Sequence, residues 1–277
     1  MIISINSHKG GVGKTTMAVV LPYYLKKHFK KILLIDFDPQ ANLTRRIISR
    51  ILHENNLKDV FEFIMLNDTT KESNLAELDK VLTRTFTHVY INSEFKISIL
   101  SSELALSSVM KKLYEETTIM VFRIIDFIKH ASQQYDLVII DTPPSTDLLT
   151  FSAIAASDYY IIPLTADIDA VNGALDIINK IVPNVQSYFN HNIKFLGAVL
   201  NMSESRTNAD KATINLIEQT FDKSLFQSKI SRTTKIREVN LSFEATIANL
   251  KNTKTEKEFI KLADEIMERC FGQEKVG

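Results

Sequence analysis

Short continuous apolar runs alternate with stretches of helical apolar spacing along most of this 277-residue chain. Residues 2–5, 32–35, 97–100, 137–140, 159–163 and 195–200 read as strands buried on both faces, with a shorter candidate at 225–230. Helical periodicity fills the intervals at 16–28, 104–115, 120–132, 170–188, 209–221 and 256–271. Pro22 falls inside the first of these, where its missing N–H predicts a bend. The alternation predicts an α/β fold: a doubly wound, mostly parallel sheet with helices on both faces, and residues 1–277 as a single domain. Residues 45–94 are the least legible, with a short amphipathic piece at 60–66 between polar stretches.

Open sheets of this kind bind ligands beyond the carboxyl ends of their strands, and three such ends carry chemistry. The first holds Lys9-Gly10-Gly11-Val12-Gly13-Lys14-Thr15-Thr16. The chain has only 7 glycines, and three of them stand here, so the string is more than an ordinary turn. Gly10, Gly11 and Gly13 can take positive φ and turn successive N–H groups inward on phosphate, with the helix that opens near Lys14 adding its dipole. Lys14 is placed to reach the β- and γ-phosphates, and the Thr15 hydroxyl to ligate magnesium. The strict G-x-x-x-x-G-K-[ST] pattern wants glycine where this chain has His8, and the extra Lys9 gives the K-G-G-x-G-K-T variant.

The second end is Asp36-Phe37-Asp38-Pro39, and the third is Asp141-Thr142-Pro143-Pro144. Asp141, delivered by an apolar strand, is expected to bind the metal directly or through water. Asp36 is expected near the magnesium shell or holding Lys14. Asp38 either orients an attacking water or caps a helix starting around Ala41. Phosphoryl transfer rests on positioning and charge, and no arginine finger is evident near the loop. Lys9 is therefore the candidate cation to be supplied across a dimer interface.

Charge and cysteine content narrow the alternatives. There are 33 basic and 33 acidic residues, so no whole-molecule field draws the chain to polyanions, and any such contact needs a local patch. Lys223, Lys229, Arg232, Lys235 and Arg237 form a cluster with no acid within it. A single cysteine, Cys270, excludes intramolecular disulfides and an iron–sulfur cage within one subunit. No apolar stretch is long enough to cross a bilayer and no export signal precedes the first strand, so a cytoplasmic location is expected. The last predicted helix has an apolar stripe, Phe259, Ala263, Ile266, Met267 and Cys270. Its polar face mixes both signs, which favours core packing over lipid.

These residues resemble the deviant Walker A ATPases, and most closely the ParA-type, Soj-like partition ATPases. Lys9–Thr16 is similar to their signature loop, residues 36–44 to D-x-D-P-Q-x-N-x-T, and residues 141–145 to D-x-P-P-S. Asn201-Met202 with Arg206-Thr207 resembles their N-M-x-x-x-R-T stretch. The resemblance implies a slow, magnesium-dependent ATP hydrolase that forms an ATP-dependent sandwich homodimer and binds DNA without sequence preference. It also implies a ParB-type partner that stimulates hydrolysis, a role in plasmid or chromosome partition, and a nucleoid-associated location. By the same resemblance Asn201 meets adenine with Ser231 nearby, and Arg206 faces DNA beside Lys229, Arg232, Lys235 and Arg237. Ser231 replaces a proline and Lys235 an arginine in the usual I-P-R-N-x-R. Two alternatives on the same fold are a MinD-like membrane-surface ATPase and an ATP-dependent metabolic enzyme.

Overall fold

The computed structural model describes residues 1–48, 56–69, 71–90, 95–113, 117–204, 207–235 and 242–272. Among these residues seven strands form one sheet, in the order β3-β4-β2-β5-β1-β6-β7. They are β1 (Ile2–Ile5), β2 (Lys31–Asp36), β3 (Phe86–Tyr90), β4 (Lys96–Leu100), β5 (Leu137–Asp141), β6 (Tyr159–Leu164) and β7 (Lys194–Leu200). All neighbouring pairs are parallel except β3 with β4.

The apolar runs are continuous because alternate residues bury on opposite faces. Leu33, Ile35, Val138 and Ile140 join one core. Ile32, Leu34, Leu137 and Ile139 join the other. The second core is closed by α1 (Lys14–Leu25), α2 (Asn42–Ile47), α11 (Phe243–Leu250) and α12 (Lys254–Phe271). The first lies under α3 (Leu57–Leu66), α4 (Glu72–Thr85), α5 (Leu106–Leu113), α6 (Thr117–Ser132), α7 (Leu148–Ala156), α8 (Ile168–Asp176), α9 (Val182–Tyr188) and α10 (Asn208–Phe221). On α12, Phe259, Ala263 and Ile266 are buried and Met267 and Cys270 pack against that core, so the stripe faces inward. No helix of the described residues is long and apolar enough to cross a membrane.

Three local features depart from the sequence pattern, while Pro22 lies inside its helix as expected. β3 follows α4 without a glycine or proline to mark the change, and Phe86 simply turns extended (φ −68°, ψ 124°). Residues 225–230 are no strand: they lie along β7 with one isolated bridge, Ala198 with Leu225, and two amide bonds, Phe226 N to Ala198 O and Ile230 N to Leu200 O, before a second bridge joins Ser203 and Ser231. There α12 competes for the backbone, with Glu265 accepting from Gln227 N and Ser228 N and Glu258 from Ser231 N. The helix expected at 170–188 is broken by a π turn at Ile177–Ile181. Pro183 lacks a donor for the preceding turn, and the wider turn upstream absorbs the mismatch.

Candidate functional site

The register of the central strands assembles the site. Asp36 and Asp141 are Cα partners at the ends of β2 and β5, and Asp141 also pairs with Ile5, from which the glycine loop departs. Gly11 (φ 78°) and Gly13 (φ 95°) take the left-handed backbone that only glycine adopts freely. Gly10 does not, so the loop uses this freedom at two positions rather than the three expected. Gly13 is also the N-cap of α1, and a Cβ there would lie 2.1 Å from Asn201 Nδ2. That amide donates to Val12 O at 2.7 Å. Asn201 is thus a buried strut beneath the loop.

Lys14 is buried, and its ammonium donates to Ser7 O at 3.3 Å. Burial lowers its pKa, while Asp141 and Asp38 pull it back up. Asp36 does not hold this lysine. Its carboxylate accepts from Thr44 N (2.8 Å), Thr44 Oγ1 (2.7 Å) and Asp38 N (3.2 Å). Thr44 Oγ1 in turn accepts from Ser102 N at 2.9 Å, which ties the loop after β2 to the end of β4. Thr44 therefore positions the acidic loop, a role its place in the motif signalled only as a pattern. Asp38 Oδ1 accepts from Gln40 N, and the N-cap of α2 is Ala41 (φ 53°) without a side-chain cap, so Asp38 is no helix cap.

Asp141 is fully buried and neither carboxylate oxygen makes a well-formed hydrogen bond, although the Thr15 hydroxyl lies close enough to pull on it. Burial and then the neighbouring Asp36 push its pKa up to about 8, against the pull of Thr15 and Lys14. Burial likewise raises Asp36 to about 7, against its bonds to Thr44. A desolvated carboxylate without a well-formed hydrogen bond, beside a threonine hydroxyl, fits a magnesium ion that takes its remaining ligands from phosphate and water. Thr15 and Asp141 would hold the ion, and its charge would hold Asp141 ionised and screen the phosphates. Among the described residues no cluster of three His, Cys, Asp or Glu forms a self-sufficient metal cage.

Both acids exceed the unfolded carboxyl value of about 4, so between about pH 4 and 8 the folded chain binds more protons than the unfolded one. Their contribution to stability is complete below that window and is lost as pH rises through 7 to 8. Without metal or nucleotide, the unfolding free energy of wild type minus that of Asp141→Asn should fall from pH 5 to 8.5, by at most about 1.4 kcal/mol per pH unit. A pH-independent difference would contradict the burial of an unneutralised carboxylate.

A cavity of about 850 Å³ opens beside the loop, lined by Gly10, Gly11 and Gly13 to Thr16, by Asp38, Gln40, Asn42, Arg45 and Arg46, and by Ile48, Pro144, Met202 and Ser242. Its apolar side is made by Ile48 and Met202; Asn201 and Ser231 do not line it. Ser231 Oγ instead donates to Glu258 at 2.7 Å, on α12. A larger cleft of about 1110 Å³ lies at the opposite sheet end, against Tyr159, Lys194 and Arg269.

The basic candidates fare unevenly. Lys9 Nζ is paired within its own chain, with Asp167 at 2.5 Å and Asp169 at 3.4 Å, and this pairing lowers the Asp167 pKa. Asp167 caps α8. Lys229 pairs with Glu218 (2.6 Å) and Arg232 with Glu204 (3.2 Å), acids distant in sequence that offset the cluster. Lys235 is exposed. Arg206 and Arg237 lie outside the described residues. His8 occupies the place of the missing glycine because α8 has a glycine opposite it: a Cβ on Gly173 would lie 3.0 Å from His8 Cβ.

The family described as AAA domain (AAA_31) matches residues 1–195. The chain is 32% identical over 243 residues to the sporulation initiation inhibitor protein Soj of Bacillus subtilis, covering 87% of this chain and 86% of Soj. It is 28% identical to the virulence plasmid ParA family protein pGP5-D of Chlamydia psittaci, covering 98% and 95%. Its fold matches that of a Cyanothece McdA variant in complex with ATP at a TM-score of 0.76, with 20% identity over 97% of this chain and 95% of that one.

Proposed function

We propose, from the premise that this chain belongs to the ParA/Soj family of AAA-domain ATPases, that it hydrolyses ATP with magnesium as an ATP-dependent homodimer and partitions a plasmid or chromosome. In this reading the dimer binds DNA non-specifically, and a ParB-type partner stimulates turnover and release in the cytoplasm, on the nucleoid. The observation that carries it is the buried Asp141 carboxylate beside Thr15 and Lys14, next to a loop whose glycines, two of them at positive φ, line one cavity. Lys14 would neutralise the transferred phosphate, and the loop amides would orient it. Asp38, which borders the same cavity, would accept a hydrogen bond from the attacking water. The inward-facing stripe of α12 weighs against the membrane-surface alternative.

Asp38→Ala should leave ATP binding within about twofold while cutting turnover by about 10²–10⁴. With ATP and Mg²⁺ it should elute as a persistent dimer in size-exclusion chromatography and stay on plasmid DNA until salt is raised. ADP should give neither. A monomeric elution for both wild type and Asp38→Ala under saturating ATP, with no DNA retention, would refute the reading.

A further inference from the structure

The loop after β2 ends in α2, whose last turn carries two adjacent arginines, and the sequence pattern gave no reason to bring either to the phosphate loop. Both line the nucleotide cavity. Arg45 is turned back on its own segment, donating to Gln40 O and, at 3.1 Å, to Asn42 Oδ1. Arg46 crosses to α1, where one Nη1 donates to Thr16 Oγ1 at 3.2 Å. A guanidinium carries five N–H donors and keeps its charge, and a hydroxyl satisfies only one of them. Among the described residues no carboxylate lies within ion-pair distance of Arg46. Burial lowers its pKa and Asp141 raises it, so the cation is partly stripped of water without a close counter-ion.

We propose that Arg46 is a nucleotide-binding residue of this chain, its planar fork holding phosphate oxygens on the Thr16 side of the loop while Lys14 serves as the point charge on the other. The inference rests on the reading of the cavity as an ATP site. Thr16 sets the stem in place, and Arg46 lines a cavity whose other cations are Lys14 and Arg45, the latter already turned back on Gln40 and Asn42. A fork suits this place better than a second ammonium, because two parallel N–H groups fix an oxygen pair in orientation as well as in charge. The contact is made in cis, so it acts in the monomer, before any partner subunit arrives.

Calorimetric titration of the full-length chain with ATP, ADP and adenosine tests this, in Mg²⁺ buffer, for wild type, Arg46→Gln and Arg46→Met. Glutamine keeps a donor for Thr16 and so preserves the tether between α1 and α2 while removing the charge. Both variants should bind ATP and ADP about 10- to 100-fold more weakly and adenosine within about twofold of wild type. Their nucleotide-free Tm should stay close to wild type for Arg46→Gln. Wild-type ATP affinity in Arg46→Gln, or an equal loss for adenosine, would overturn the proposal and leave the ATP site standing. A wild-type chain that fails to bind ATP would sink both.

Discussion

Lys14→Ala should lose ATP binding by roughly 100-fold or more, with no thermal shift on adding ATP and Mg²⁺. The expectation follows from how the ammonium is held. It is buried at the mouth of α1 and makes one long bond of 3.3 Å to Ser7 O; burial lowers its pKa, and Asp141 and Asp38 oppose that shift. Such a group is poised for an anion, and a triphosphate would complete its hydrogen bonds. Alanine removes the charge yet leaves the loop, since Gly11, Gly13 and the Asn201 strut fix the backbone independently. The nucleotide-free protein should therefore fold normally by circular dichroism. A Lys14→Ala chain that still binds ATP tightly would show that the cavity is not a phosphate site.

Lys9→Ala should leave ATP affinity within about threefold and cut stimulated turnover by about 10³, the scale on which a cation supplied across an interface acts in phosphoryl transfer. In the isolated chain Lys9 is half-buried and bound to Asp167 and Asp169, and it does not line its own cavity. A pair that still reaches solvent can exchange for a more highly charged phosphate. Turnover measured against protein concentration separates the two outcomes. The wild-type rate should rise with dimer formation and the Lys9→Ala rate should stay flat. An unchanged rate in the variant would remove the lysine from catalysis.

The sheet was legible in the sequence because its strands are buried on both faces, and continuous runs such as Ile32 to Ile35 admit few other readings. The phosphate loop and the acids ending β2 and β5 were legible for the same reason: a strand's end is where the run stops. What escaped was set by contacts distant in sequence. β3 has no punctuating residue before it and gains its identity only by pairing Phe86 to Tyr90 against β4. The 225–230 run looked like a strand because Leu225, Phe226 and Ile230 bury, yet its backbone is claimed by acids of α12. The basic cluster looked stronger than it is because Glu204 and Glu218 return to it only in the fold. Arg46 was invisible for the converse reason, since a charged residue on a short helix gives no sign that it points inward until α1 lies beside it.

The meeting of His8 with Gly173 makes the two positions mechanically interdependent. A methyl group placed at 173 would press on the imidazole stem and push residue 8 by a few tenths of an ångström, next to the Lys9 pair. Trimming residue 8 to glycine at the same time would relieve the collision, so the double exchange should be gentler than the helix change alone. An engineer transplanting this loop into another scaffold must carry the facing notch along with it.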